Sequence, residues 1–188
     1  MNLFERLPDS VTVGKRRVRL DLDFRNVLRM LETLKRDDLT LEAREWIATR
    51  CVCRKPVPGT LDAVKQLLFS DTPKTTGKRV TSFEQDAGLI RAAFRQVYGI
   101  NLWKEKLHWF EFTELLQGIP EGNRYAETMG IRAREMPSPT KWNAKEREWL
   151  ARAKASVALK RTDEEIEEDY QQSVKNIFDA MLPHAKRK

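Results

Sequence analysis

The feature that most constrains this fold is the stretch from Phe83 to Arg132, FEQDAGLIRAAFRQVYGINLWKEKLHWFEFTELLQGIPEGNRYAETMGIR, where apolar and aromatic residues recur at three- and four-residue steps. Phe83, Ala87, Ile90, Phe94 and Val97 predict a first helix, capped by Ser82, with Glu84 and Asp86 in its first turn and Gly99 as its stop. A second spans about Leu107 to Gln117. At about 100° per residue His108, Trp109, Phe112, Leu115 and Leu116 share one broad face, and Phe110 projects away from them. Gly118 and Pro120 end it, and a short third helix through Tyr125 and Met129 is expected to end at Gly130. A helix apolar on more than one side is either central to its domain or carries a patch for a partner. Central burial is the expectation here.

The flanking sequence fits around this framework. Val11 and Val13, then Gly14-Lys15-Arg16-Arg17, then Val18, Leu20 and Leu22 give period-two patterning about a turn, so a short hairpin is predicted that must lie on a helical body to persist. Asp23 caps a helix carrying Phe24, Val27, Leu28, Leu31 and Leu34. Thr40 opens another with Leu41, Trp46, Ile47 and Val52, closed by Pro56 and Pro58, and Thr60 caps a third with Leu61, Val64, Leu67, Leu68 and Phe69. From Ser70 to Ser82 the sequence is polar, interrupted by Pro73 and Gly77, and reads as a loop.

Met136-Pro-Ser-Pro-Thr140 reads as a linker. Beyond it Trp142, Trp149, Ala153 and Val157 trace a stripe at near-heptad spacing. Thr162-Asp-Glu-Glu165 forms a capping box for a last helix with an apolar stripe of Ile166, Tyr170, Val174, Ile177, Phe178, Met181 and Leu182. That stripe must be covered, by the preceding helix folding back or by another chain; both remain open. The expected fold is mainly α: an orthogonal multi-helix domain over residues 1–136 with a small N-terminal β-hairpin, and a C-terminal two-helix extension over residues 141–188.

Composition narrows the function classes. No apolar run reaches the roughly 18 residues of a membrane span, and MNLFERLPDS lacks a signal-peptide core, so the cytosol where the chain is made is the expected location. Cys51 and Cys53 are too few for a disulfide framework and only half a zinc site, and no metal or cofactor is expected. The net charge of +7 raises a nucleic-acid reading, with Lys15 to Arg19 and Lys186 to Lys188 as its basic knots. Most other cations are interleaved with acids, so a solvated surface is preferred.

Catalysis finds no support. There is no glycine-rich phosphate loop, no Gly-x-Ser-x-Gly and no His-Glu-x-x-His. Glu84 with Asp86, or Glu111 with Glu114, could pair as carboxylates, but such spacings occur on any solvated helix face, and that reading is adopted. His108 reads as a packed histidine with one nitrogen bonded. A helix-turn-helix reader would need a basic exposed helix after a tight turn, which the sequence does not offer.

The motifs LPDSV, DFR at Asp23 to Arg25, FEQDAGLIRAAFRQVYGINL, LHWFEFTELLQGIP and MGIR resemble the bacteriophage Gp-fifteen family of long-tailed phages, over most of residues 6–160. The residues that carry it include Phe83, Glu84, Gln85, Asp86, Leu107, His108, Trp109, Phe112, Leu116, Met129 and Gly130. The resemblance implies a non-enzymatic tail-assembly chaperone that coats the tail tape-measure protein and recruits tail-tube subunits, and such a chaperone is not expected in the mature virion; a homo-oligomer is a separate expectation. A structural tail component is the alternative, a basic nucleic-acid binder a weaker one. The CVCRKPVP segment, the Ser70–Ser82 loop and the sequence after Lys160 depart from the family's pattern. Partner-binding candidates are therefore Phe110 and, on the last stripe, Ile166, Tyr170, Ile177, Phe178 and Met181.

Overall fold

A computed structural model describes residues 4–70 and 79–160. The chain divides into two compact units, Met1–Ala133 and Arg134–Lys188. The described residues form one two-stranded sheet and seven helices, so the protein is mainly helical with an N-terminal hairpin, as the patterning predicts.

In the first unit β1 (Ser10–Val13) and β2 (Arg16–Arg19) pair antiparallel, with Val11 opposite Val18 and Val13 opposite Arg16. The turn therefore shrinks to Gly14-Lys15, where Gly14 takes φ 61°, a left-handed conformation that glycine adopts without strain. Val18, Leu20 and Leu22 are buried, which is what two-residue alternation requires of one face. Beyond β2 the chain stays extended. Asp21 N–H donates to the Val52 carbonyl at 2.8 Å, Trp109 N–H to Leu22 at 2.8 Å, and Phe24 N–H to Leu107 at 3.0 Å. The first bond ties the hairpin's exit to Val52, and the other two fasten it to the start of the aromatic helix, far away in sequence.

Helix α1 (Phe24–Leu34) is capped by Asp23, whose carboxylate accepts from Arg25 N–H at 3.0 Å. It buries Phe24, Val27 and Met30, and Leu28, Leu31 and Leu34 pack at the edge of the core. Helix α2 (Leu41–Val52), capped by Thr40, packs along α1 and buries Ala48, Thr49 and Val52. Leu41 and Trp46, apolar by sequence, are 65% and 63% exposed, so the buried face of α2 consists of smaller side chains. Cys51 is half-buried and Cys53 lies in the core.

Helix α3 (Thr60–Phe69) corrects a cap: Gly59 in a left-handed conformation holds the N-cap, and the Thr60 hydroxyl accepts from Val57 N–H at 2.9 Å and donates to its carbonyl at 2.6 Å. Thr60 thus closes the preceding turn rather than the helix. The predicted 70–82 loop lies largely outside the described residues.

Helix α4 (Ala87–Tyr98) begins four residues later than the periodicity suggests. Residues 83–86 form a turn instead, because Ser82 N–H binds the Asp86 carboxylate at 2.9 Å and Asp86 N–H binds the Ser82 carbonyl at 2.8 Å. The turn lets Phe83 and Asp86 face inward together. Gly99, at φ 71°, stops α4 as expected, and Ile100 N–H reaches back to the Phe94 carbonyl.

Helix α5 (Trp109–Gln117) buries Trp109 and Phe112 and ends at Gly118. Helix α6 (Arg124–Ala133) runs three residues past Gly130. Glycine weakens a helix by about 1 kcal/mol against alanine without obliging it to stop. Here the extra turn carries Arg132 to a buried partner.

In the second unit α7 (Ala144–Ser156) follows the 137–140 segment, where Asn143 accepts from Thr140 N–H and donates to the Ser138 carbonyl, each at 2.9 Å. The expected stripe is corrected in phase. Trp142 precedes the helix at 89% exposure and Trp149 is 56% exposed, whereas Leu150 is buried, with Arg147, Ala153 and Val157 half-buried along its side. Ala153 and Val157 keep their predicted places, and Leu150 takes the place expected of Trp149. The predicted last helix lies outside the described residues.

Candidate partner-binding site

Phe112 sits at the centre of the first unit, 1% exposed. Phe24 stacks on one side of it at 4.6 Å between ring centres and Phe94 lies stacked at 5.2 Å, while Phe83 and Trp109 pack at 6.1 Å and 6.0 Å. Each such pair adds about 0.5–1.5 kcal/mol beyond area burial. The aromatic motif residues are thus one packed cluster drawn from α1, the 83–86 turn, α4 and α5.

Two polar side chains within the motifs hold this cluster in place. Asp86, 1% exposed, is not on a solvated face as its spacing suggested. Its carboxylate receives both Nη atoms of Arg132 at 2.7 Å and 2.9 Å, and Arg132 also donates to the Val80 carbonyl at 3.0 Å. The FEQD turn and the MGIR helix end are therefore joined by a bidentate ion pair. Sequence reasoning missed this pair. The available signal was an acid and a base of opposite sign, each set in an otherwise apolar motif.

His108 is the N-cap of α5, ahead of the helix rather than on its apolar face. Its Nδ1 accepts from Phe110 N–H at 3.3 Å and its Nε2 lies 3.0 Å from the Pro8 carbonyl. Since Nδ1 accepts, Nε2 carries the proton and donates to Pro8. Both nitrogens are engaged, one more than expected, and the second ties the N-terminal segment to α5.

Phe110 does not project freely. It is half-buried, stacked on the His108 ring at 5.5 Å, and lines an open groove of about 1000 Å³ between β1, α3 and α5. Val11, Ala63, Leu67 and Trp109 supply apolar lining beside it, and Glu5, Arg6, Gln66, Thr113 and Glu114 supply polar lining. Of the sequence-predicted site residues, Leu107 is buried, and Leu116 and Met129 pack at the core's edge. Glu84, Gln85 and Gly130 are exposed. Ile166, Tyr170, Ile177, Phe178 and Met181 lie outside the described residues.

Ionisation follows these contacts. Burial works against the Asp23 carboxylate, but hydrogen bonds from the Arg25 side chain and backbone outweigh it, so the carboxyl lies below its ordinary value. The Arg25 guanidinium is raised in turn by Asp23. Among the described residues no three His, Cys, Asp or Glu side chains group in a way that could hold a metal ion, and no helix is long and apolar enough to cross a membrane.

A family model described as Bacteriophage Gp15 protein matches residues 60–159, more than half of the chain. The chain belongs to this phage protein family. The span matched to the Gp15 family contains the whole aromatic cluster except Phe24, the Asp86–Arg132 pair, and the α3 and α5 walls of the groove. The hairpin, α1 and α2 precede it. No curated protein and no solved structure matches the chain.

Proposed function

We propose that this Gp15 family protein is a non-enzymatic tail-assembly chaperone that binds the tape-measure protein and tail-tube subunits in the bacterial cytoplasm, needs no cofactor and leaves before the virion is complete. The observation that carries the reading is the groove between β1, α3 and α5 in a phage family protein: Val11, Leu67, Trp109 and Phe110 give its lining apolar surface beside the polar Gln66 and Glu114, a mixture suited to an amphipathic helix. The chemistry-bearing motif residues support it, since Asp86 and His108 spend their polar atoms on structure.

The test is co-expression with the tape-measure protein encoded in the same phage. The expected result is a soluble complex, formed less well by Phe110→Glu or Leu67→Glu. If solubility of the tape-measure protein and tail formation were indifferent to this chain, the reading would fail. Recovery of the chain from purified virions would replace it with a structural role.

A further inference from the structure

A second concavity, an open hollow of about 660 Å³, lies between the hairpin and the segment after α2. Arg16, Arg17 and Arg19 reach it from β2, and Arg54 and Lys55 from the other wall. All five are exposed. Among the described residues, Arg17 is paired at 3.4 Å with the exposed Asp9 and hydrogen-bonded to Ser10, and Arg19 also acts on the Asp9 carboxylate from beyond ion-pair distance, whereas Arg16, Arg54 and Lys55 form no ion pair. One acid, Asp21, stands in the wall. The floor is apolar, made by Val18, Leu20 and Val57.

Folding therefore gathers cations from two separate segments against their mutual repulsion. An anion that enters relieves that repulsion, and the apolar floor asks it to bring apolar atoms as well. A nucleic acid suits this poorly: its evenly spaced phosphates call for a long cationic track, and its backbone has little to place on Val18 or Val57. A peptide whose carboxylates surround an aliphatic side chain suits both walls and floor.

The chain itself contains such a segment. Asp163-Glu164-Glu165-Ile166-Glu167-Glu168-Asp169 sets six acids around one isoleucine. We propose that the hollow of one copy receives the Asp163–Asp169 segment of a second copy, so that the protein self-associates head to tail. Hollow and segment are different surfaces, so each copy offers one and fills the other, a contact that closes as a reciprocal pair or a ring or runs on as an open chain. The inference does not depend on the chaperone reading.

Charge reversal tests it in the full-length chain. A base-reversed protein carries Arg16→Glu, Arg19→Glu and Arg54→Glu; an acid-reversed protein carries Glu164→Lys, Glu165→Lys and Glu168→Lys. In sedimentation velocity the wild type should associate, less so as salt rises from about 0.05 to about 0.5 M. Each reversed protein alone should associate at least about tenfold more weakly. An equimolar mixture of the two should recover association, because each then meets a complementary surface in the other. The three arginines are exposed, and an unchanged melting curve confirms that the base-reversed fold is intact. A monomeric wild type, reversed proteins that associate as it does, or a mixture without recovery each overturns the proposal. So does a wild-type chain that binds a short single-stranded oligonucleotide but not a peptide spanning residues 160–176.

Discussion

The aromatic centre and the basic hollow belong to the same unit and treat charge in opposite ways. In the centre, Asp86 is buried and receives two hydrogen bonds from one guanidinium. In the hollow, Arg16, Arg54 and Lys55 stand exposed and form no ion pair among the described residues, and Arg17 and Arg19 share the one exposed carboxylate of Asp9. A buried charge left unpaired costs several kcal/mol, so the centre must resolve its electrostatics within the chain. An exposed charge is cheap, so the hollow can leave its own unresolved until a partner arrives. The residues that identify the family are accordingly architecture, whereas the hollow lies on residues before the matched span.

The comparison breaks first if the centre tolerates damage. Phe112→Ala removes the ring that Phe24 and Phe94 sandwich, and urea unfolding should show a loss of about 4 kcal/mol. Arg132→Ala leaves the Asp86 carboxylate buried with no countercharge and only the Ser82 N–H to bind it, and should cost about 3 kcal/mol, much of it recovered by Asp86→Asn in the same chain. If the double variant were no better than the single, the charge would not be the cause.

How much of this was legible in the sequence follows from the range of each interaction. The turn at Gly14, the caps at Asp23 and Thr40 and the stop at Gly99 depend on neighbours within a few residues, and the sequence placed them. The start of α4 is set by the Ser82–Asp86 bonds of the turn ahead of it, where polar capping competes with the apolar period. The end of α6 and the burial of Asp86 depend on a contact between residues 86 and 132, which no local pattern contains. The same holds for the site. Periodicity placed Phe110 on the far side of α5 from Phe112, but the groove around it is completed by β1 and α3, and its stacking partner is a cap residue rather than a helix neighbour.

His108→Ala sharpens the boundary between the two regions, because His108 links the centre to the N-terminal segment beside the groove. Loss of the α5 cap and of the Pro8 bond should cost about 1–2 kcal/mol. His108→Ser should recover the cap portion only, leaving amide exchange faster around Ser10 than in the wild type.

Asp23 gives a smaller, pH-dependent signal. Its carboxyl is lowered in the folded chain, so the stability it contributes is present above the unfolded value of about 3.9 and is lost as pH falls through the folded value. Asparagine caps helices about as well as aspartate, so Asp23→Asn removes the pair with Arg25 and keeps the cap. At neutral pH the expected loss is about 0.5–1 kcal/mol. Between about pH 5 and pH 2 the denaturation midpoint should fall less steeply in the variant than in the wild type. Parallel curves would mean that the pair with Arg25 contributes nothing to the acid limb.

The hollow should give the smallest effect, with the opposite sign. Two like unit charges about 8 Å apart in water repel by about 0.5 kcal/mol before screening, and salt at physiological strength removes most of that. Arg54→Ala should therefore leave the isolated chain as stable as the wild type or raise its stability by about 0.3 kcal/mol, measured by urea unfolding at a concentration where no association occurs. A loss of 1 kcal/mol or so would show that Arg54 is held by the fold as Arg132 is, and the contrast between a resolved centre and an unresolved hollow would disappear. No loss of stability, combined with weakened self-association, would locate the work of this cation between molecules rather than within one.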